Sequence, residues 1–185
     1  MKNPKLAFRY ANALYEFSVE SNNVEDVYRD IRLIQEVETT HDELRKVLES
    51  PIISQDKKLN IIKEIFQKEV TETVFRFFTF IIKKRREPEL LMICSQFIKI
   101  YYKNHNIKEA YITSAQPLSE KMVEYIKTYL EGDSPYRFIL HLSVNPKIIG
   151  GLIIKIDDFY FDASIQAKIN KLKAEFSQNA YAIGF

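Results

Sequence analysis

The sequence predicts a mainly α protein with a small α+β part: an N-terminal six-helix bundle, then a C-terminal domain of short β-strands and two helices. Three observations carry this expectation. Through the first part of the chain, apolar residues recur at three- and four-residue spacing between capping residues. Near Ile107 the pattern changes to short runs of apolar and polar alternation. The breaks between elements are short, so successive elements must lie beside one another. The change of pattern at Asn104 to Ile107 sets the expected domains at 1–105 and 106–185.

Asn3-Pro4 starts the first helix, with Asn as N-cap and Pro at the first helical position. It runs to about Glu20. Ala7, Tyr10, Ala11, Leu14 and Phe17 share one face, and Leu6, Ala13 and Phe17 form a narrower second line. Ser21-Asn22-Asn23 breaks the helix before a second one, from Val24 to about Glu38, with Val27, Ile31, Ile34 and Val37 inward. Thr39-Thr40 reads as the cap of a short helix from His41 to Leu48. Ser50-Pro51 ends it, because a residue before proline is pushed out of the helical region. Ser54 or Gln55 opens a fourth helix whose apolar face is Leu59, Ile62, Ile65 and Phe66.

Thr71 caps the fifth helix, which differs from the others. Val74, Phe77, Phe78 and Ile81 form one face, Phe75, Phe78 and Ile82 another, and Phe80 lies elsewhere again. A helix apolar nearly all round is either central to a bundle or has a partner outside the chain. Lys83-Lys84-Arg85-Arg86 ends it, and cations suit the negative pole of a helix. Glu87-Pro88 then starts a sixth helix reaching about Asn104.

In the second domain, residues 110–115 alternate as a strand that Pro117 stops. Ser119 caps a helix from Glu120 to Glu131, with Met122, Val123, Ile126 and Leu130 expected inward. A turn at Gly132 to Pro135 leads to a second strand, Arg137 to Val144. Asn145-Pro146 and the pair Gly150-Gly151 mark a turn. Leu152 to Ile156 and Phe159 to Phe161 are short strands joined by an Asp157-Asp158 hairpin turn. Asp162 and Ser164 open the final helix.

Composition restricts the function. The chain has 185 residues, of which 46% are apolar, with 13 Phe, 11 Tyr and no Trp. A net charge of +2, spread evenly along the chain, lacks the basic footprint of a nucleic-acid binder. Cys94 is the only cysteine and sits among apolar residues, so neither a disulfide framework nor a thiolate metal site follows. The N-terminus carries charges through its apolar part and does not read as a secretory signal. No run of 18 apolar residues occurs. A reducing, cytoplasmic setting is the expectation.

No catalytic constellation emerges. The glycine pair is no phosphate loop, because GxxxxGK[ST] is missing and the segment leads into a strand. Asp157, Asp158 and Asp162 lack the acidic ladder of a calcium loop. His41, His105 and His141 stand far apart and outside any metal-ligand spacing. The residues thus describe a two-domain, non-enzymatic interaction module with no catalytic, cofactor-binding or metal site. The fifth helix, together with the small residues Ala7, Ala11 and Ala13 of the first, suggests a binding groove.

The chain also resembles the δ subunit family of F-type ATP synthase, whose mitochondrial counterpart is the oligomycin-sensitivity-conferring protein. The resemblance runs from end to end. Arg9-Tyr10-Ala11-Asn12-Ala13-Leu14 is similar to the family's RYAxAL opening. Leu48-Glu49-Ser50-Pro51 with Lys57-Lys58 matches its loop and fourth helix, and Arg86 with Leu90 and Phe97 its middle signature. Ser114 to Ser119 resembles the joint SAxPLS. The most specific part is Asn145-Pro146 to Leu172, with Gly150, Gly151, Asp162 and Ser164. Two departures affect local backbone only: Asp157-Asp158 replaces a Gly-Asp pair, and Arg85-Arg86 replaces a Gly-Arg pair.

The resemblance implies a stator protein that joins the catalytic head of the synthase to its peripheral stalk. The N-terminal bundle would bind the N-terminal helix of an α subunit, in a groove between the first and fifth helices. Its candidate residues are Tyr10, Ala13, Leu14, Phe17, Val74, Phe77, Phe78 and Ile81, to be divided between core and groove. The C-terminal domain would hold the ends of the b subunits. The protein would lie peripherally at the cytoplasmic face of the inner (plasma) membrane, through the complex alone, with no cofactor and no nucleic acid. The alternative is a small helical nucleic-acid-binding regulatory protein, which the charge balance disfavours. An unrecognised enzyme would need turnover by the isolated protein.

Overall fold

A computed structural model describes residues 3–132 and 134–182; Asp133, within the predicted turn at Gly132 to Pro135, lies outside the described residues. The chain is mostly helical with one small four-stranded sheet. It divides into two compact units, one ending at Asn104 and the other beginning at His105.

The first unit contains α1 (Pro4–Glu20), α2 (Val24–Thr40), α3 (Asp42–Glu49), α4 (Gln55–Phe66), α5 (Glu72–Lys83) and α6 (Leu90–Asn104). The Asn3 side chain accepts the Leu6 N–H at 3.2 Å and so caps α1. α2 runs on through Thr40, past the expected cap, and α3 begins at Asp42 with His41 between them. Continuous helical hydrogen bonding through two threonines outweighs their weak preference for caps. Glu87-Pro88-Glu89 forms a 3-10 turn, and α6 starts one residue after it.

α6 is the spine of this unit. α1 and α2 both pack along it, while α4 packs against α5. Ile93, Cys94 and Phe97 of α6 are fully buried with Ala7 and Ala11 of α1 and Val27, Ile31 and Ile34 of α2. Small residues on α1 let two helix axes approach closely. Tyr28 stacks on Tyr101 with ring centres 3.9 Å apart, and the Tyr101 hydroxyl donates to Glu25 at 2.6 Å. Burial, and then the bond to the Glu25 carboxylate, push the Tyr101 phenol well above its usual range.

Two polar contacts fix α5. The Asp30 carboxylate, buried in α2, accepts the Thr71 backbone N–H at 2.6 Å and holds the start of α5. Gln55, at the start of α4, donates to the Ile82 carbonyl at 3.1 Å, adding to the bond that carbonyl accepts from the Arg85 N–H at 2.9 Å and tying α4 to the end of α5. Beside that end, Lys58 Nζ donates to the Leu48 carbonyl and to Glu87 Oε1, both at 2.7 Å. Lys58 is 2% exposed and Glu87 7%, so this ion pair is dry.

The second unit holds β1 (Ile107–Ser114), α7 (Glu120–Glu131), β2 (Arg137–Val144), β3 (Leu152–Ile156), β4 (Phe159–Asp162) and α8 (Ile165–Ala182). The sheet order is β2-β1-β3-β4. β1 and β2 run parallel, joined by the α7 crossover, and the other pairs are antiparallel. Register places Phe138, Leu140, Leu142 and Val144 on the same face as Ala110, Ile112, Ile154 and Phe161. α7 packs on β2 and buries Ile126 there. Met122, expected inward, is 45% exposed. A single short helix lies along one edge strand, so only the Ile126 side of its wide apolar arc finds a surface to cover.

The opposite sheet face is polar. Tyr111 stacks on His141 at 4.7 Å, His141 Nε2 lies 2.9 Å from Glu109, and the Thr113 and Ser143 hydroxyls are 2.8 Å apart.

Candidate functional site

An apolar depression bordered by exposed aromatics runs between α1 and α5. It has a volume of about 530 Å³. Arg9, Tyr10, Ala13, Leu14 and Phe17 line it from α1, and Glu72, Thr73, Arg76, Phe77 and Phe80 from α5. These positions recur at three- and four-residue spacing, so each helix offers one face to the groove. Arg9 to Phe17 covers about 12 Å of helix axis, a little over two turns.

The two helices run in opposite directions past each other. Tyr10, early in α1, meets Phe80, late in α5, edge to face with ring centres 6.3 Å apart. At the other end, Asn23 just beyond α1 donates to the Thr73 hydroxyl at 3.1 Å. Phe17 is 53% exposed and Phe80 45%, so two large aromatic side chains stand open beside the groove.

The candidate residues divide between groove and core, with Leu14, 3% exposed, serving both. Tyr10, Ala13, Leu14, Phe17 and Phe77 line the groove. Val74, Phe78 and Ile81 are fully buried and belong to the core beneath it, together with Ile82. Phe77 and Phe78 are adjacent, with ring centres 6.1 Å apart, yet one lines the groove and the other is fully buried. Sequence reasoning missed Arg9, Glu72, Thr73, Arg76 and Phe80. Extending the α1 line Ala13–Phe17 back by four residues would have found Arg9, and extending Phe77 by three would have found Phe80.

Gly150, Gly151, Asp162 and Ser164 also come together, as a structural joint. The Ile165 N–H donates to the Gly150 carbonyl at 2.9 Å. Gly151 adopts φ +79°, and a Cβ there would lie 2.3 Å from the Ala163 carbonyl oxygen. Ser164 Oγ accepts the Ala167 N–H at 3.1 Å and caps α8, and Asp162 accepts the Ser164 N–H at 2.9 Å. The joint therefore locks the loop after β2 to the start of α8.

Hydrogen bonds from the Ser164 hydroxyl and then its backbone N–H hold Asp162 below the usual carboxylate range. A lowered folded-state pKa adds stability above the unfolded-state value, and that stability is lost as pH falls through the folded-state value. An Asp162→Asn variant should therefore melt below the parent at neutral pH and converge with it in acid. Melting curves across an acid series read this directly, and a constant gap at every pH would contradict it.

No group of three or more His, Cys, Asp or Glu arranged to hold a metal occurs among the described residues. His41, His105 and His141 do not meet in a site.

Comparison with known proteins agrees with this architecture. The family model described as ATP synthase delta (OSCP) subunit matches residues 6–176. ATP synthase subunit delta of Amoebophilus asiaticus is 32% identical over 180 residues, covering 97% of this chain and 98% of that protein. The protein of the same description from Halothermothrix orenii is 34% identical over 173 residues, covering 94% and 91%. A chain of the Toxoplasma gondii mitochondrial ATP synthase hexamer, solved by cryo-EM, shares the fold. Its TM-score is 0.70 at 19% identity, over 92% of this chain and 97% of that chain. With a family match over residues 6–176 and relatives above 30% identity along nearly their whole length, the chain belongs to the ATP synthase delta (OSCP) subunit family.

Proposed function

We propose that the α1/α5 groove receives the N-terminal helix of an α subunit of the catalytic head, and that the second unit holds the ends of the b subunits. As a member of its family, the chain is a non-catalytic, peripheral-stalk subunit of an F-type ATP synthase. In the finer reading, the six N-terminal helices act as one bundle, residues 1–105, that presents the groove to the head. Residues 106–185 form the stalk-binding domain. The subunit reaches the cytoplasmic face of the membrane through the complex alone. No helix among the described residues is long and apolar enough to cross a membrane.

The observation that carries the head-binding reading is the trough itself. Phe17, Phe77 and Phe80 offer apolar anchors over a little more than two helical turns, the geometry of helix-in-groove recognition. For the stalk, Leu142, Val144, Phe159 and Phe161 remain about half exposed or more on the apolar face of the sheet. The task is mechanical. Rotor torque acts on the head, and the stator must hold it by contacts that dissociate slowly.

Titrating the full-length protein with a peptide of the α N-terminal segment from the same synthase tests the groove. Phe77→Ser should weaken binding about 10- to 100-fold, the loss expected of an aromatic anchor. Its helical circular dichroism should persist, because Phe77 points outward. Unchanged affinity in a folded variant would remove the groove assignment.

A further inference from the structure

We propose that the groove is electrically polar along its length and fixes the direction of its guest: the acidic end of an amphipathic helix lies over Arg9 and Lys84, at the start of α1. This rests on the groove reading above and adds what selects the guest's orientation.

Of the charged residues, Arg9, Glu72 and Arg76 line the groove, and the other charges of its two helices are sorted by end. On α1, Lys5 and Arg9 come early and Glu16 and Glu20 late. On α5, Glu72 comes first and Lys83 and Lys84 last. Because Tyr10 meets Phe80 while Asn23 meets Thr73, the antiparallel helices bring like charges to the same end. Lys84 lies over the Phe80 ring at 5.6 Å, on the ring that also touches Tyr10. Arg9 and Lys84 are exposed and form no ion pair among the described residues. At the other end Arg76 pairs with Glu72 in the groove lining, and Glu16 and Glu20 stand on α1 outside that lining.

Helix stability does not explain this order. α1 has no acidic residue in its first turn and no basic residue in its last. Cations near its N-terminus and carboxylates near its C-terminus oppose its own macrodipole. α5 has the favourable order, so of these two helices α1 is the one whose charges oppose its own dipole. Placed along a binding trough, the same charges are complementary to a helix with carboxylates at one end and cations at the other. Such a guest is itself most stable with carboxylates in its first turns and cations in its last. It then lies with its N-terminus at Arg9, parallel to α1 and antiparallel to α5.

The experiment uses the full chain and the α N-terminal peptide, isotope-labelled. Cys94 is fully buried, so a spin label attaches selectively at Lys83→Cys or at Glu20→Cys. The label at 83 should broaden the peptide's N-terminal residues and the label at 20 its C-terminal residues. The reverse pattern overturns the proposal. The double variant Arg9→Glu, Lys84→Glu should weaken binding about 5- to 20-fold at low salt, with the difference shrinking as salt rises. Equal affinity, or a loss independent of salt, overturns the polarity while leaving the groove intact, since Phe77→Ser reports on the groove alone. A peptide that fails to bind the parent protein overturns both readings.

Discussion

A Lys58→Met variant is expected to lose about 3–5 kcal/mol of unfolding free energy, the cost of stranding a buried charge. Lys58 reaches Glu87 Oε1 and the Leu48 carbonyl from a position almost closed to water. Glu87 Oε2 has no hydrogen-bond partner among the described residues, so the carboxylate has no second donor to fall back on. Removing the ammonium would leave a buried carboxylate and an orphaned carbonyl together. The double variant Lys58→Met, Glu87→Leu should recover most of the loss, because a buried ion pair replaced by apolar groups of similar size is often nearly neutral. What remains, about 1 kcal/mol, belongs to the Leu48 carbonyl. Urea titrations followed by circular dichroism give all three values. A single variant within about 1 kcal/mol of the parent would mean that water reaches the pair.

Gly151→Ala should cost about 2–4 kcal/mol, from positive φ combined with a backbone clash. The new Cβ would meet the Ala163 carbonyl, which the α8 joint holds in place. Gly150→Ala is the control. Its Cβ would lie 2.7 Å from Ile165 Cδ1, the far end of a side chain that can turn aside. Its cost should stay below about 1.5 kcal/mol. Thermal melts compare the two, and amide exchange in β3 and α8 shows where the damage falls. Similar losses at both glycines would refute the distinction. The loop also holds Ile149 at φ +69°, an unfavourable conformation for a β-branched residue, which underlines how firmly the surroundings set this backbone.

Much of this was written locally in the sequence. Asn3, Ser119 and Ser164 cap the helices expected of them, because a cap depends on a few neighbouring atoms. The Asp157-Asp158 turn follows the same logic, with Asp157 at φ +48° between two paired strands. The parallel pairing of β1 with β2 was not legible. Alternation says which residues share a face, but not which strand lies alongside or in which direction. The inward side of α5 was hidden for a related reason. Phe77 and Phe78 are chemically alike, and only the packing of α2 and α4 against α5 decides which is core. Arg9, Glu72 and Arg76 escaped notice because a search for apolar stripes passes over charges that border a trough.

α5 carries two sets of contacts on neighbouring faces of one rod. Val74, Phe78, Ile81 and Ile82 root it in the core, while Phe77 and Phe80 face the groove. A pull along the axis of a guest helix lying there would load those groove contacts together, in shear, instead of peeling them away one after another. The reaction passes from Phe77 to the adjoining Phe78 within a single residue step, into packing of low compressibility. Little side-chain slack lies between the gripping surface and the rigid interior, so a sustained tug would be borne as elastic tension in the stalk with little slip at the joint.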